Sequence, residues 1–396
     1  MFETLSPPSP DPIIALMGQF AADPRPGKID LGVGVYRDAA GRTPVMRAVA
    51  AAEARILQTQ ATKGYVGLGG DPAFLRALGA LTLGDAVAPA RVASVATPGG
   101  SGAIRQCLEL VRAARPEATI WISDPSWPNH PAIAAALGLA RRSYRYLDPE
   151  TALVAPGPML DDLAQAAAGD VVLLHACCHN PSGADPDAGT WAALADLCAA
   201  RGLVPFLDMA YQGFGTGVAE DAAALRHMAA AVPEMLLAVS GSKTFGLYRE
   251  RVGMAAAVCA DAPSAGRVGA MLATLNRQNF AFPPDHGARV VQVLLDDPAL
   301  RADWLAELDT MRTRIGANRE ALAAALRAET GATRFDFLTR HRGMFSLLGL
   351  TEGQTARLRE DHAVYLVADG RANLAGLGPD QAVAVARAIA AVIARG

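Results

Sequence analysis

The sequence predicts an α/β protein: a mostly parallel sheet covered by helices on both faces, with a smaller second domain. Two observations predict the sheet and a third the division. Short apolar runs alternate with longer helical stretches rich in alanine and leucine, namely 118–123, 171–176, 204–209, 235–240 and 252–259. Several of these runs end directly in a hydrogen-bonding or reactive side chain: Asp124, His175, Asp208 and Ser240. Ligands of open α/β sheets sit beyond the carboxyl ends of the strands, so these segments converge on one crevice. After about residue 310 the character changes to long helices, clearest over 302–326, then a short strand-like piece at 344–350 and a final helix from Pro379. With the N-terminal arm this reads as a second unit, dividing the chain into 45–310 and 1–44 plus 311–396.

The bulk properties fit a soluble globular protein. With 396 residues, 51% of them hydrophobic, the chain can bury a large core. A net charge of -3 provides no basic stripe for nucleic acid. Met1-Phe2-Glu3-Thr4 and the prolines Pro7, Pro8 and Pro10 do not form a signal peptide, and the alanine-rich stretches are broken by charge before they could span a membrane. Five cysteines, an odd number, fit a reducing compartment, so a cytoplasmic protein is expected.

Along the chain, Thr97-Pro98-Gly99-Gly100-Ser101-Gly102 precedes a predicted helix over 103–113. Free backbone N–H groups and the positive end of the helix dipole there suit an anion, and a phosphate is the natural ligand. The segment is neither a nucleotide-hydrolase phosphate loop nor a dinucleotide fingerprint, because its glycines are spaced for neither. In His175-Ala176-Cys177-Cys178-His179-Asn180-Pro181, three metal-capable side chains would share a strand face. Adjacent cysteines have no usual ligand spacing and no second cluster completes a tetrahedral site, so no metal is expected. The segment reads better as a strand end and an Asn-Pro turn presenting Asn180.

Asp208 and Tyr211 place a carboxylate and a phenol three residues apart beyond a buried strand. A helix cap and a packed tyrosine would account for them. A sharper account is a carboxylate that keeps a heterocyclic nitrogen protonated and a phenol that bonds an adjacent oxyanion, the surroundings of a pyridine electron sink. Trp127 could stack on such a ring while His130 braces Asp208. Lys243, in Ser240-Gly241-Ser242-Lys243-Thr244, lies among small residues and hydroxyls with Arg251 eight positions on. A lysine that attacks a carbonyl must be available as the neutral amine, and desolvation or nearby positive charge provides that.

In this combination and order the motifs resemble the aspartate and aromatic amino-acid subgroup of the fold-type I aminotransferases, almost end to end. The resemblance implies a seven-stranded sheet and pyridoxal 5′-phosphate as cofactor, with Lys243 joined to it, Asp208 on the pyridine nitrogen, Tyr211 and Asn180 on the ring oxygen and Trp127 against the ring, with His130 and His175 behind. It places the phosphate among Gly100, Ser101, Ser240, Ser242 and Arg251, with Tyr65 reaching in from the other subunit of a homodimer. Arg371 would grip the substrate's α-carboxylate. Arg277, also from the neighbour, would take a distal carboxylate, and Gly34 and Phe345 would close over the substrate. Cis peptides are expected at Asp124-Pro125 and Asn180-Pro181.

Some positions depart from the subgroup's pattern, among them Thr244, Ala176, Ser182 and Ser101, and none removes a reacting group. Phe282 replaces a polar residue common in aspartate-specific members and Gly64 stands where a larger side chain is typical, which implies a roomier, more apolar pocket. The expected activity is broad transamination from Phe, Tyr, Trp, Asp and Glu to 2-oxoglutarate or another 2-oxo acid. The alternatives are a strict aspartate aminotransferase, a β-decarboxylase on the same cofactor and a non-catalytic ligand sensor.

Overall fold

The structure is a computed structural model that describes residues 1–6 and 11–395. The prolines read at positions 7, 8 and 10 lie outside the described residues. Eleven strands are present among them: β1 (Ile29–Asp30), β2 (Val92–Pro98), β3 (Thr119–Asp124), β4 (Ala140–Arg145), β5 (Val171–His175), β6 (Val204–Met209), β7 (Met235–Ser240), β8 (Val252–Val258), β9 (Phe345–Leu347), β10 (Val364–Tyr365) and β11 (Arg371–Asn373). Seven form one sheet in the order β2-β8-β7-β6-β5-β3-β4, parallel except at β8, which runs antiparallel to both neighbours. All five predicted apolar runs are strands of this sheet. β5, β7 and β8 are buried along their whole length, as expected where helices cover both faces.

Strand direction decides what reaches the crevice. Asp124, His175, Asp208 and Ser240 lie at or next to the carboxyl ends of parallel strands, with His175 opposite Asp208 in register. Because β8 runs the other way, its start, and so Arg251 just before it, lies at the same end of the sheet. β2 is antiparallel to β8 and therefore delivers Pro98, and the helix that follows, to that end as well.

Away from the large sheet, β9 pairs antiparallel with β11, and β1 pairs parallel with β10. These strands share a hydrophobic cluster with the final helix, Gln381–Ala394, through Ile29, Leu31, Leu348, Val364, Leu374, Ile389 and others. Helix Pro298–Thr330 connects the two cores. Asp297 caps its first turn through the N–H groups of Ala299 and Leu300, proline occupies its first position, and Gly331 ends it in the left-handed conformation at φ 65°. Its 33 residues span roughly 50 Å. One buried stripe at helical spacing serves both cores: Trp304, Leu308, Met311 and Ile315 join the sheet core, while Leu322 and Leu326 join the other. Trp304 also donates from Nε1 to the Thr244 carbonyl at 2.8 Å and stacks on Phe245, so this helix steadies the turn after Lys243. Losing a buried tryptophan of this kind costs about 3–5 kcal/mol.

Candidate active site

The crevice holds a cavity of ≈ 140 Å³ lined by Gly100, Ser101, Ile104, Trp127, His175, Asn180, Asp208, Ala210, Tyr211, Ser240, Ser242, Lys243 and Arg251. Eleven of these thirteen residues were anticipated from sequence; Ile104 and Ala210 were not. Ile104 stands one helical turn after Gly100 and Ala210 immediately precedes Tyr211, so helical spacing and adjacency were the signals available.

One wall is the start of helix Gly99–Ala114, which begins four residues earlier than predicted and takes the glycines into its first turn. The glycines are required there. A Cβ on Gly100 would come 2.9 Å from the Ser240 Cβ, and one on Gly99 would come 2.5 Å from Arg251 Nη2. The uncapped N–H groups of this turn, the Ser240 and Ser242 hydroxyls and the Arg251 guanidinium form one anion cradle. Arg251 Nη1 donates to Ser242 Oγ at 3.2 Å.

The floor is the turn after β7. Ser240 caps the single-turn helix Gly241–Thr244 by accepting from Ser242 N–H, which sets Lys243 facing the cavity. Thr244 ties the turn to the next segment by donating to the Gln212 carbonyl at 3.0 Å. Burial of its amine lowers the Lys243 pKa from its usual range to about 8; Asp208 opposes this, and Arg251 and Arg371 add to it. At pH 7 roughly a tenth of such an amine is neutral, against about one part in 3,000 for an ordinary lysine.

Asp208 lies on β6, inside the strand and not at a helix cap. Burial works to raise its pKa, but the hydrogen bond from His130 and the neighbouring His130, His175 and Lys243 side chains outweigh it, so the carboxyl is held below its usual range. His130 Nε2 bonds Asp208 Oδ2 at 3.0 Å, and Ser126 Oγ bonds His130 Nδ1 at 2.9 Å. With the carboxylate ionised, Nε2 carries the proton and Nδ1 accepts from the Ser126 hydroxyl. Among the described residues the other carboxylate oxygen, Oδ1, is buried with no partner, as are both ring nitrogens of His175. His175 lines the cavity itself, where the sequence had placed it behind the ring, and burial drives its pKa down to about 3.

Past β5 the chain turns at Cys178, at φ 54°, and the strand ends at His175. The strand face proposed to join His175, Cys177 and His179 therefore does not exist. Cys177 Sγ donates to Met209 Sδ instead, and the His179 ring stacks on Tyr146 at 4.0 Å. Both Asp124-Pro125 and Asn180-Pro181 are cis, as expected. Asn180 Oδ1 accepts from Arg371 Nη1 at 3.2 Å, which leaves its amide nitrogen as the remaining donor. Arg371 is buried, donates to the Gly32 carbonyl and lies 4.4 Å above the Phe345 ring. Phe345 in turn fills the space beside Gly34, where a Cβ would come 2.9 Å from its ring. Gly34, Phe345 and Arg371 thus form one group on the Asn180 side of the cavity.

Tyr65 and Arg277 do not reach this cavity within the chain. Tyr65 is 85% exposed and stacks on Phe282 at 4.5 Å, and Arg277 sits 5.8 Å from the same ring.

The features fit pyridoxal 5′-phosphate. A buried carboxylate oxygen without a donor suits a protonated pyridine nitrogen, the glycine-walled cradle suits a phosphate, and a lysine of lowered pKa suits an aldehyde. Residues 26–389 match the family described as aminotransferase class I and II. The chain belongs to this family. Among its relatives, an aromatic-amino-acid aminotransferase of Paracoccus denitrificans is 51% identical over 98% of this chain and 99% of its own. An aspartate aminotransferase of Salmonella typhi is 44% identical over 99% of this chain and 100% of its own. A solved aromatic-amino-acid aminotransferase from Burkholderia pseudomallei, covalently bound to pyridoxal phosphate, superposes with a TM-score of 0.95 at 41% identity, covering 99% of each chain. This aminotransferase is therefore a pyridoxal phosphate-dependent transaminase acting on amino acids and 2-oxo acids. Among the described residues no helix is long and apolar enough to cross a membrane.

Proposed function

We propose that this aminotransferase is a broad-specificity aromatic amino-acid aminotransferase, moving the amino group of Phe, Tyr, Trp, Asp or Glu to 2-oxoglutarate or another 2-oxo acid in two half-reactions. The observation that carries the specificity is the aromatic platform of Phe282 and Tyr65, with Arg277 against the same ring. An apolar ring face and a guanidinium side by side serve an aromatic side chain and a distal carboxylate in turn. The 51% identity to an aromatic-amino-acid aminotransferase supports this reading. The 44% identity to an aspartate aminotransferase, with Arg277 present, keeps strict aspartate specificity as the second reading.

In this account Arg371 binds the substrate carboxylate through the edge not engaged with Gly32, and Asn180 and Tyr211 donate toward the cofactor's ring oxygen. Trp127 packs against the ring, and the cradle of Gly100, Ser101, Ser240, Ser242 and Arg251 holds the phosphate. Bound pyridoxal phosphate supplies an electron sink for charge developing at the substrate α-carbon. Asp208 keeps that sink protonated, with His130 and Ser126 fixing the carboxylate. Lys243, as the free amine, would take the α-proton and return it at the cofactor's aldehyde carbon, acting as base and then acid.

The exposure of Tyr65 and the distance of Arg277 from this cavity accord with their serving the partner's site in a homodimer. Residues 45–310 would form the cofactor-binding unit and 1–44 with 311–396 the second unit, meeting within helix Pro298–Thr330. The five buried free cysteines accord with a cytoplasmic setting.

Arg277→Leu tests the division of labour. It should lower kcat/KM for aspartate by about 10²-fold or more, the scale of one lost charge pair at a substrate carboxylate, and change that for phenylalanine by less than about fivefold. Steady-state kinetics with both donors measures this, and equal losses would refute the assignment.

A further inference from the structure

Arg319 projects from helix Pro298–Thr330 into protein, 3% exposed, and among the described residues no carboxylate pairs with it. A buried cation without a counter-ion is costly unless its hydrogen bonds are well made. Here the bonds of both terminal nitrogens go to one short segment, and among the described residues Nε has no partner. Nη1 donates to Ser346 Oγ at 2.5 Å, and Nη2 donates to the carbonyls of Phe345 at 2.6 Å, Gly343 at 2.7 Å and Arg342 at 3.2 Å.

The polar contacts continue beyond Ser346 in a fixed direction. His341 Nε2 lies 2.7 Å from the Ala152 carbonyl, which can only accept, so Nε2 carries the hydrogen. His341 Nδ1 is then the acceptor and takes the Ser346 hydroxyl hydrogen at 3.0 Å, leaving the lone pairs of that oxygen to Arg319. Burial holds the His341 pKa down at about 3, which keeps the ring neutral and this arrangement intact.

The segment so gripped carries Phe345. On one side Arg342 N–H donates to the Gly183 carbonyl at 2.7 Å, and a Cβ on Gly183, at φ 78°, would come 2.2 Å from the Phe345 carbonyl. On the other side β9 pairs with β11, with Ser346 opposite Ala372, next to Arg371. The Phe345 ring meets the Arg371 guanidinium and the space beside Gly34. The segment is thus wedged between the turn that presents Asn180 and the strand that presents Arg371.

We infer that Arg319, Ser346 and His341 form a positioning relay that fixes the Phe345 ring against Arg371 and so sets affinity for aromatic carboxylate substrates. The inference rests on the reading of Arg371 as the carboxylate clamp. None of the three residues touches the cavity, and they act through the backbone of 342–345.

The test is calorimetric titration of the cofactor-loaded enzyme with 3-phenylpropionate, an aromatic carboxylate with no amino group to react. Ser346→Ala removes one oxygen and should weaken Kd by about tenfold, the scale of one hydrogen bond to a charged group. Arg319→Lys, which keeps the charge but cannot span four acceptors, should weaken it at least as much. In a Phe345→Leu background Ser346→Ala should have no further effect, because its action passes through that ring. Wild-type Kd in Ser346→Ala, an equal loss in both backgrounds, or a Ser346→Ala chain that does not fold would each overturn the relay. Arg371→Lys is the separate control: tight binding there would sink the clamp reading itself, whereas loss there beside wild-type Ser346→Ala binding would sink the relay alone.

Discussion

Lys243→Ala is expected to abolish transamination, with kcat/KM falling by about 10⁶ or more, while the chain remains folded. The magnitude follows from the position of this amine. Lys243 is the amine that lines the cavity, and it would serve both as the base that moves the α-proton to the cofactor's aldehyde carbon and as the group that holds the cofactor covalently. The fold should survive because Lys243 carries none of the core: the turn around it is held by Ser240, Thr244 and Trp304. Removing a desolvated amine also relieves an unfavourable burial. Far-ultraviolet circular dichroism checks the fold, and single-turnover assays check the activity. The lowered pKa gives the same residue a pH signature. The amine is protonated below about 8 and neutral above it, so the rate at which the cofactor-free protein takes up pyridoxal phosphate should rise toward pH 8 and level off beyond it. A rise continuing to pH 10 would show an ordinary lysine.

Asp208→Asn should follow with a loss of about 10³-fold or more in kcat, roughly 4 kcal/mol. The substitution changes one atom and leaves an oxygen to accept from His130, so packing is retained. It removes the negative charge that would keep the cofactor's ring nitrogen protonated, and with it the means of absorbing charge from the substrate. Phosphate contacts are untouched, so the variant should still bind pyridoxal phosphate, and equilibrium dialysis would show this. Near-normal kcat in Asp208→Asn would mean that the buried, unpartnered Oδ1 is not the ring-nitrogen contact.

Much of the sheet and cavity was legible because chemistry and hydrophobicity coincide in the sequence. The buried strands β3, β5, β6, β7 and β8 are uninterrupted apolar runs, and four of them lead straight into Asp124, His175, Asp208 and Ser240. β4 was invisible to such a reading. Ala140–Arg145 lies at the sheet edge with only Tyr144 buried, so its residues answer to solvent and not to a core. β2 was missed because its burial is interrupted, with Ser94 only partly covered. Nothing in an apolar run encodes direction, so the antiparallel course of β8, which brings Arg251 to the cavity, had to come from the pairing. The helix after Pro98 was placed late because glycine argues against helix, whereas here close approach of Ser240 and Arg251 outweighs propensity. The network of Arg319, His341 and Ser346 joins Ala152 to residues nearly two hundred positions later, a separation that no local pattern records.

The most direct test of the proposed specificity is the first half-reaction of the cofactor-loaded enzyme, followed by its visible absorbance in a single turnover with phenylalanine and with aspartate in parallel. Comparable rates for the two donors are the predicted result. A response to aspartate alone would contradict the account, and would mean that Phe282 and Gly64 do not open the pocket to aromatic side chains.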